Sequence, residues 1–212
     1  MSQLILMNGP LLCGKNIAVD HLKKSYDLTD RRCKDRLFQM MWQFFDTSEE
    51  RFWELYNNRD LKEVPVLDYQ VSTGAYYALS QRIDDLPDMD EVNCCLSCRN
   101  AMIYISEIVC KPTFGRTYFG QYRADKIQRD ELAIDDSCGF AEELPPVIEK
   151  LGQDNILLIR VKGRGSFQGD SREYIPDGVI EHTVDIYNIY SEDVYLQDIK
   201  KTVTAWLGYA ND

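Results

Sequence analysis

Apolar residues follow two rhythms along this 212-residue chain. Short unbroken runs, Leu4-Ile5-Leu6-Met7, Leu132-Ala133-Ile134 and Ile156-Leu157-Leu158-Ile159, have the pattern of strands covered on both faces. Elsewhere the apolar positions recur every three or four residues. Leu37, Phe38, Met41, Trp42 and Phe45 make Asp35 to Phe45 an amphipathic helix whose aromatic stripe is expected in a core. Ser48 to Tyr56 reads as a second helix, with a serine cap and an acidic first turn. Residues 57 to 66 read as a loop, and Asp68 to Arg82 as a helix despite Gly74. Arg99 to Cys110 is helical through Ile103, Ile105 and Ile108, with Lys111-Pro112 as its stop.

Further on, Thr117 to Arg129 and Phe140 to Leu151 are predicted helices, and a closing helix covers about 192 to 207. Strands are predicted at Glu131 to Asp136, Asn155 to Val161 and Thr183 to Tyr187. Strands alternating with helices imply an α/β chain with a parallel sheet in three layers. Its length suits one domain, 1–212, with a helical insertion over 30–115.

The first run feeds Gly9-Pro10-Leu11-Leu12-Cys13-Gly14-Lys15-Asn16, which satisfies G-x-x-x-x-G-K and departs from the full motif only at Asn16. Ile17, Ala18 and Leu22 then begin a helix, so residues 3 to 25 form a strand, a glycine loop and a helix. In that setting the amides of Leu12 to Asn16 and the helix start converge on a phosphate. Gly9, Leu12, Cys13, Gly14, Lys15, Asn16 and Ile17 are the expected nucleotide-binding residues. Asn16 offers magnesium an amide oxygen where Ser or Thr offers a hydroxyl.

Two other segments bear on this chemistry. The strand Glu131 to Asp136 ends in a carboxylate pair, Asp135 and Asp136, at the end of a parallel strand where ligands sit, and either could serve hydrated magnesium. The stretch from Arg160 to Arg172 brings four cations and three glycines into an acidic chain. Arginines on a glycine-rich loop stabilise charge on a moving phosphoryl group, so residues 161–173 are expected to form a lid with Arg164 and Arg172 as its working cations. Asp170 either orients Arg172 or serves the metal.

A net charge of −11 and a pI near 4.7 speak against a nucleic-acid partner. No run approaches the ~18 apolar residues of a membrane span, and no secretory signal is visible, so a cytoplasmic location is expected. Seven cysteines without a regular framework point to reduced thiols, and the single C-x-x-C at Cys95 to Cys98 lacks the second pair that a zinc site needs. The acidic stretch Asp84 to Glu91 reads as a solvated loop.

Taken in order, the glycine loop, Ser97-Cys98-Arg99 through Ser106-Glu107 to Lys111-Pro112-Thr113-Phe114-Gly115, Ile134-Asp135-Asp136-Ser137-Cys138-Gly139-Phe140, and Gly169-Asp170-Ser171-Arg172 resemble the bacteriophage deoxynucleoside monophosphate kinases. These belong to the P-loop nucleoside monophosphate kinases, and the resemblance runs from residue 3 to about 207. It implies a three-layer P-loop NTPase fold and transfer of the γ-phosphate of ATP, with Mg²⁺, to a deoxynucleoside monophosphate for DNA precursor synthesis. Lys15 would hold the β and γ phosphates, Asp135 or Asp136 the hydrated metal, and Arg99 the acceptor's phosphate.

Lys111, Asp68 and Lys34 are further acceptor candidates, each with a structural use open to it: a helix-end cation, a core-edge residue and a solvated helix face. Arg99 could instead pair with Glu107 or the acidic loop, and Tyr69 and Tyr104 could contact the base or fill the core. Cys98 stands where the family often has proline. Small-molecule nucleotides are the expected partners, with a homodimer left open. Two other readings stand beside this one: a non-catalytic P-loop protein acting through a protein partner, and a kinase of another small phosphorylated acceptor.

Overall fold

The computed structural model describes residues 1–83, 86, 94–168 and 172–209. The chain begins with β1 (Gln3–Asn8), α1 (Lys15–Lys23) and β2 (Thr29–Asp30). There follow α2 (Lys34–Phe45), α3 (Glu49–Asn57), α4 (Arg59–Lys62), β3 (Val66–Gln70), α5 (Thr73–Ser80), β4 (Cys95–Leu96) and α6 (Cys98–Ile103). A π-helical stretch, Tyr104–Cys110, leads into α7 (Lys111–Phe114). The chain continues through α8 (Tyr118–Lys126), β5 (Leu132–Cys138), α9 (Pro145–Leu151), β6 (Ile156–Lys162), β7 (His182–Tyr187) and α10 (Glu192–Tyr209). Two compact units result, one of residues 1–33 with 119–212 and one of residues 34–118.

The larger unit holds a five-stranded sheet in the order β2-β5-β1-β6-β7, parallel throughout. β1 is central: Leu4 lies opposite Ala133 on one side and Ile156 on the other. Its side chains from Leu4 to Met7 are fully buried because helices cover both faces. Ile5, Met7, Ile134, Leu157 and Ile159 pack with Ala18 and Leu22 of α1 and with Ile199 and Val203 of α10. Leu4, Leu6, Ala133 and Leu158 pack on the opposite side with Ala124 of α8 and Val147 of α9. The parallel α/β architecture in layers, expected from the alternation of strands and helices, is present in this unit. Among the described residues no helix is long and apolar enough to cross a membrane.

The period of two along β5 separates the two aspartates. Asp135 falls on the side of Ala133 and meets α8, where Arg123 Nη1 donates to its Oδ2 at 2.7 Å with both side chains fully buried. Cys33 N and the Ser137 amide and hydroxyl also donate to this carboxylate. Burial alone would raise its pKa; the Arg123 charge and the Ser137 hydrogen bonds outweigh that and hold the carboxyl below its usual value.

In the smaller unit α2 and α3 form where the periodicity places them. Ser48 caps α3 by accepting from Arg51 N at 3.1 Å. Phe38 of α2 is buried against Phe52, Trp53 and Tyr56 of α3, so the aromatic stripe is core. Three expectations need correction. Residues 57 to 66 are not simply loop, because Asn58 accepts from Asp60 N and Leu61 N and starts α4. Residues 68 to 82 are not one helix: Val66–Gln70 pairs antiparallel with β4 and buries Tyr69, and the helix begins only at the Ser72 cap. Cross-strand pairing has overridden a local pattern that suited either element.

Pro112 does not stop its helix either, since helical backbone continues to Phe114. A proline in an α-helix strips the carbonyl four residues back of its donor. The preceding turns are π-wound, with Lys111 N donating to Ser106 O five residues back, and this wider spacing lets the helix pass the proline. The two-residue β2 was not expected at all.

Replacing Arg123 by Met should cost about 3–5 kcal/mol at pH 7, because it leaves a buried carboxylate without its cation. With its cation gone, burial outweighs the remaining Ser137 hydrogen bonds and raises the Asp135 pKa, so the stability deficit should shrink as pH falls from 7 toward 5. Urea unfolding at both pH values checks this; a deficit under about 1 kcal/mol at pH 7 would show that the pair does not hold the sheet to α8.

Candidate functional site

Strand order in the larger sheet reverses at β1, since the chain goes from β1 to β2 and β5 on one side and then to β6 and β7 on the other. Such a switch opens a crevice beyond the carboxyl ends of the strands, and the loop leaving β1 lies there. Residues Gly9 to Gly14 form this loop, and α1 begins at Lys15.

Protein donors hold the loop by its carbonyls. Lys15 Nζ donates to Gly9 O and Pro10 O, Asn188 Nδ2 donates to Cys13 O at 2.9 Å, and Tyr195 Oη donates to Gly14 O at 3.2 Å. A trans peptide sets its N–H opposite its C=O. The amides of Leu11, Gly14 and Lys15 therefore point away from those donors. Gly14 is the N-cap, in a left-handed conformation with φ 106°, and it offers no side-chain cap to the helix. Ala18 N returns to Gly14 O, but the amides of Lys15, Asn16 and Ile17 head the helix without a preceding turn to accept them. Amides and helix dipole together make an anion-binding end.

Gly14 is required for space as well as conformation. A Cβ there would lie 2.6 Å from Asn188 Nδ2 and 3.2 Å from Tyr195 Cε1. Asn188 follows β7 and Tyr195 belongs to α10, so the far end of the chain shapes the loop. Neither residue was expected from the sequence, where an isolated Asn or Tyr carries no motif.

Charge converges on Lys15, which is itself buried. Burial lowers its pKa most, Arg172 adds to the lowering, and Cys13 and Asp136 oppose it. The aliphatic stem of Arg172 lies over Gly139 after β5, with stem carbons 2.7 Å from where a Cβ would sit. Asp136 takes the opposite face of β5 from Asp135.

The remaining expected residues are distributed as follows. Leu12 is exposed with φ 66°, Cys13 is buried, and Asn16 and Ile17 are exposed on the first turn of α1. The segment expected to form a lid touches the loop directly: Leu11 and Ser166 form an antiparallel bridge, and a Cβ on Gly165 would lie 2.1 Å from Leu11 O. Arg164 is exposed and donates to Tyr190 O at 3.3 Å. Of the lid's other cations, Arg160 pairs with Asp185 and Asp177, and Lys162 with Asp185. Asp170 lies outside the described residues, as does all of Asp84 to Glu91 except Leu86.

For magnesium, Asp135 has its carboxylate engaged by Arg123, Ser137 and Cys33 and lies on the α8 face. Asp136, whose charge reaches Lys15, and the exposed Asn16 amide fit a hydrated cation that takes few protein ligands. Among the described residues no group of three or more His, Cys, Asp or Glu forms a cage for a metal. The seven cysteines are free of disulfides.

In the smaller unit Arg99 follows the Ser97 cap of α6 and approaches Glu63 Oε1 at 3.7 Å, while Glu107 pairs with the buried Lys111 at 2.8 Å. Asp68 receives two hydrogen bonds from Arg51, at 3.0 and 3.3 Å, which hold its carboxyl below the usual value. Lys34 begins α2. Tyr69 is fully buried and Tyr104 nearly so.

No protein-family model matches the chain, and no curated protein matches it. The functional argument therefore rests on the site alone.

Changing Gly14 to Ala should destabilise the fold by about 1–3 kcal/mol, since the left-handed backbone and the contact with Asn188 both oppose a side chain. Asn188→Ala should cost a similar ~1–3 kcal/mol by stripping the donor from Cys13 O. Urea unfolding midpoints check both, and midpoints equal to wild type would show that the loop is not held as described.

Proposed function

We propose that the chain is a P-loop kinase that transfers the γ-phosphate of ATP to a deoxynucleoside monophosphate. The observation that carries this reading is the glycine loop at the strand-order switch, heading α1 with its carbonyls held by Lys15, Asn188 and Tyr195. The resemblance of the ordered motifs to the bacteriophage monophosphate kinases supplies the acceptor class.

In this mechanism the Leu11, Gly14 and Lys15 amides receive the β-phosphate, and Lys15 exchanges the Gly9 and Pro10 carbonyls for phosphate oxygens. A lysine already held by carbonyls at the loop is oriented before ATP arrives. Arg172 meets charge that spreads over the equatorial oxygens as the phosphoryl group moves. The contact of Leu11 with Ser166 joins the glycine-rich segment after β6 to the phosphate loop. Asp136 and Asn16 would hold Mg²⁺, which when bound neutralises charge on the β and γ oxygens. Arg99 and Lys34, in the smaller unit, are the acceptor residues. No general base is required, because an acceptor phosphate with a second pKa near ~6 is ionised at neutral pH.

ADP production from ATP and Mg²⁺, with each deoxynucleoside and ribonucleoside monophosphate offered singly, tests this reading. ADP that depends on particular monophosphates is expected; ADP absent with all of them while ATP binds would contradict it. Lys15→Ala should lower turnover by about a thousandfold or more with the fold intact, the scale of one lost transition-state charge contact, and wild-type rates would sink the mechanism. Asn16→Ser should lower the Mg²⁺ concentration needed for half-maximal rate, since a hydroxyl is a better-placed ligand than the amide. A raised or unchanged requirement would remove Asn16 from the metal site.

A further inference from the structure

In the smaller unit the chain presents an aromatic ring to solvent and holds it there. α7 ends at Phe114, and Gly115 turns the chain with a φ of 95°, which an L side chain rarely adopts. Tyr118 N returns to Gly115 O at 3.2 Å, and the Tyr118 ring stacks on Phe114 with centroids 4.8 Å apart and planes at 26°. Phe114 is nevertheless 54% exposed, and among the described residues Tyr118 is its only ring partner. A ring fixed on one side and exposed on the other is a stacking surface for a planar ligand.

Tyr118 is fixed in turn by α2. Arg36 Nε donates to Tyr118 Oη at 3.0 Å, and Arg36 Nη1 donates to Gln39 Oε1 at 3.2 Å. One turn on from Arg36, Met40 Sδ meets Cys110 Sγ at 3.4 Å, so α2 also grips the π-helical stretch that leads to Phe114. A guanidinium carries donors only, so the oxygen of the Gln39 amide faces Arg36 and the nitrogen turns away. Among the described residues that nitrogen has no hydrogen-bond partner. On the side away from Arg36, Gln39 therefore offers N–H donors alone.

A nucleobase matches both features. Glutamine reads adenine when both ends of its amide are free, accepting from N6 and donating to N7; with the oxygen held by Arg36 that pairing is lost. Donors alone suit a keto oxygen, O6 of guanine or O4 of thymine, where adenine and cytosine carry an amino group.

We propose that Phe114 and Gln39 form a nucleobase site, Phe114 stacking on the ring and Gln39 Nε2 donating to its keto oxygen, which takes guanine or thymine over adenine and cytosine. That the ligand is the acceptor monophosphate rests on the kinase reading; base-selective binding is measured without turnover.

The test is calorimetric titration of the full chain with dGMP, dTMP, dAMP and dCMP, in wild type, Gln39→Glu and Phe114→Ala, beside the ADP assay. Wild type should bind dGMP or dTMP about tenfold or more tighter than dAMP and dCMP, the factor for a donor that meets an oxygen rather than an amino group. Gln39→Glu keeps an oxygen for Arg36 and puts a second where the amide donates, so this preference should fall by about tenfold. Phe114→Ala should weaken the preferred monophosphate about tenfold or more, the loss of one stacked base. Wild type that binds no monophosphate, or all four within about threefold, overturns the proposal, as does an unchanged preference in Gln39→Glu or wild-type affinity in Phe114→Ala. Should Gln39→Glu fail to fold, the Gln39 side-chain amide resonances of wild type decide: a saturable shift with dGMP or dTMP supports the site and no shift overturns it. Keto-selective binding that depends on Phe114 and Gln39 in a chain producing no ADP supports this site and contradicts the kinase, whereas ADP formed with all four monophosphates bound alike supports the kinase and overturns this site.

Discussion

One buried amide ties the site together. Asn8, the last residue of β1, is fully buried; it donates to Cys138 O and Glu173 O and accepts from Ile175 N. It thereby joins the strand that feeds the glycine loop, the end of β5 that carries Asp136, and the returning segment that carries Arg172. A hydrophobic residue there would leave these backbone groups without partners, and groups so buried are costly to leave unmade. One side chain thereby bonds the backbone of the segments that follow Asp136 and Arg172.

The charge of the chain reads differently once the pairs are placed. Where carboxylates meet cations, several of them neutralise those that build the fold: Asp135 with Arg123, Glu131 with Arg31, Asp185 with Arg160 and Lys162, Glu107 with Lys111. Lys15, by contrast, is held by backbone carbonyls of the glycine loop rather than by a carboxylate. An acidic protein can bind an anionic ligand in this way because short-range contacts in partly buried sites outweigh a distant, screened net charge.

What the sequence made legible follows from where local rules suffice. Unbroken apolar runs marked β1 and β6, serine caps marked α3, and the glycine spacing marked the loop, since each signal is complete within a few residues. The twofold period of a strand could also have separated Asp135 from Asp136, as it sends neighbours to opposite faces, but it does not say which face carries Lys15. Asn188 and Tyr195 were hidden because they act on the loop from some 175 and 181 residues away through single hydrogen bonds. β3 escaped because its pairing with β4 is decided by tertiary structure, which a local pattern around Tyr69 and Tyr76 cannot record.

The central claim is that inward carbonyls at Pro10, Cys13 and Gly14 free the opposite amides for a nucleotide's phosphates. Following backbone amide resonances during titration with ATP and Mg²⁺ measures this directly. The account predicts saturable shifts that are largest at Leu11, Gly14 and Lys15. Saturation with the largest shifts elsewhere and these three amides unmoved, or no binding at all, would contradict it.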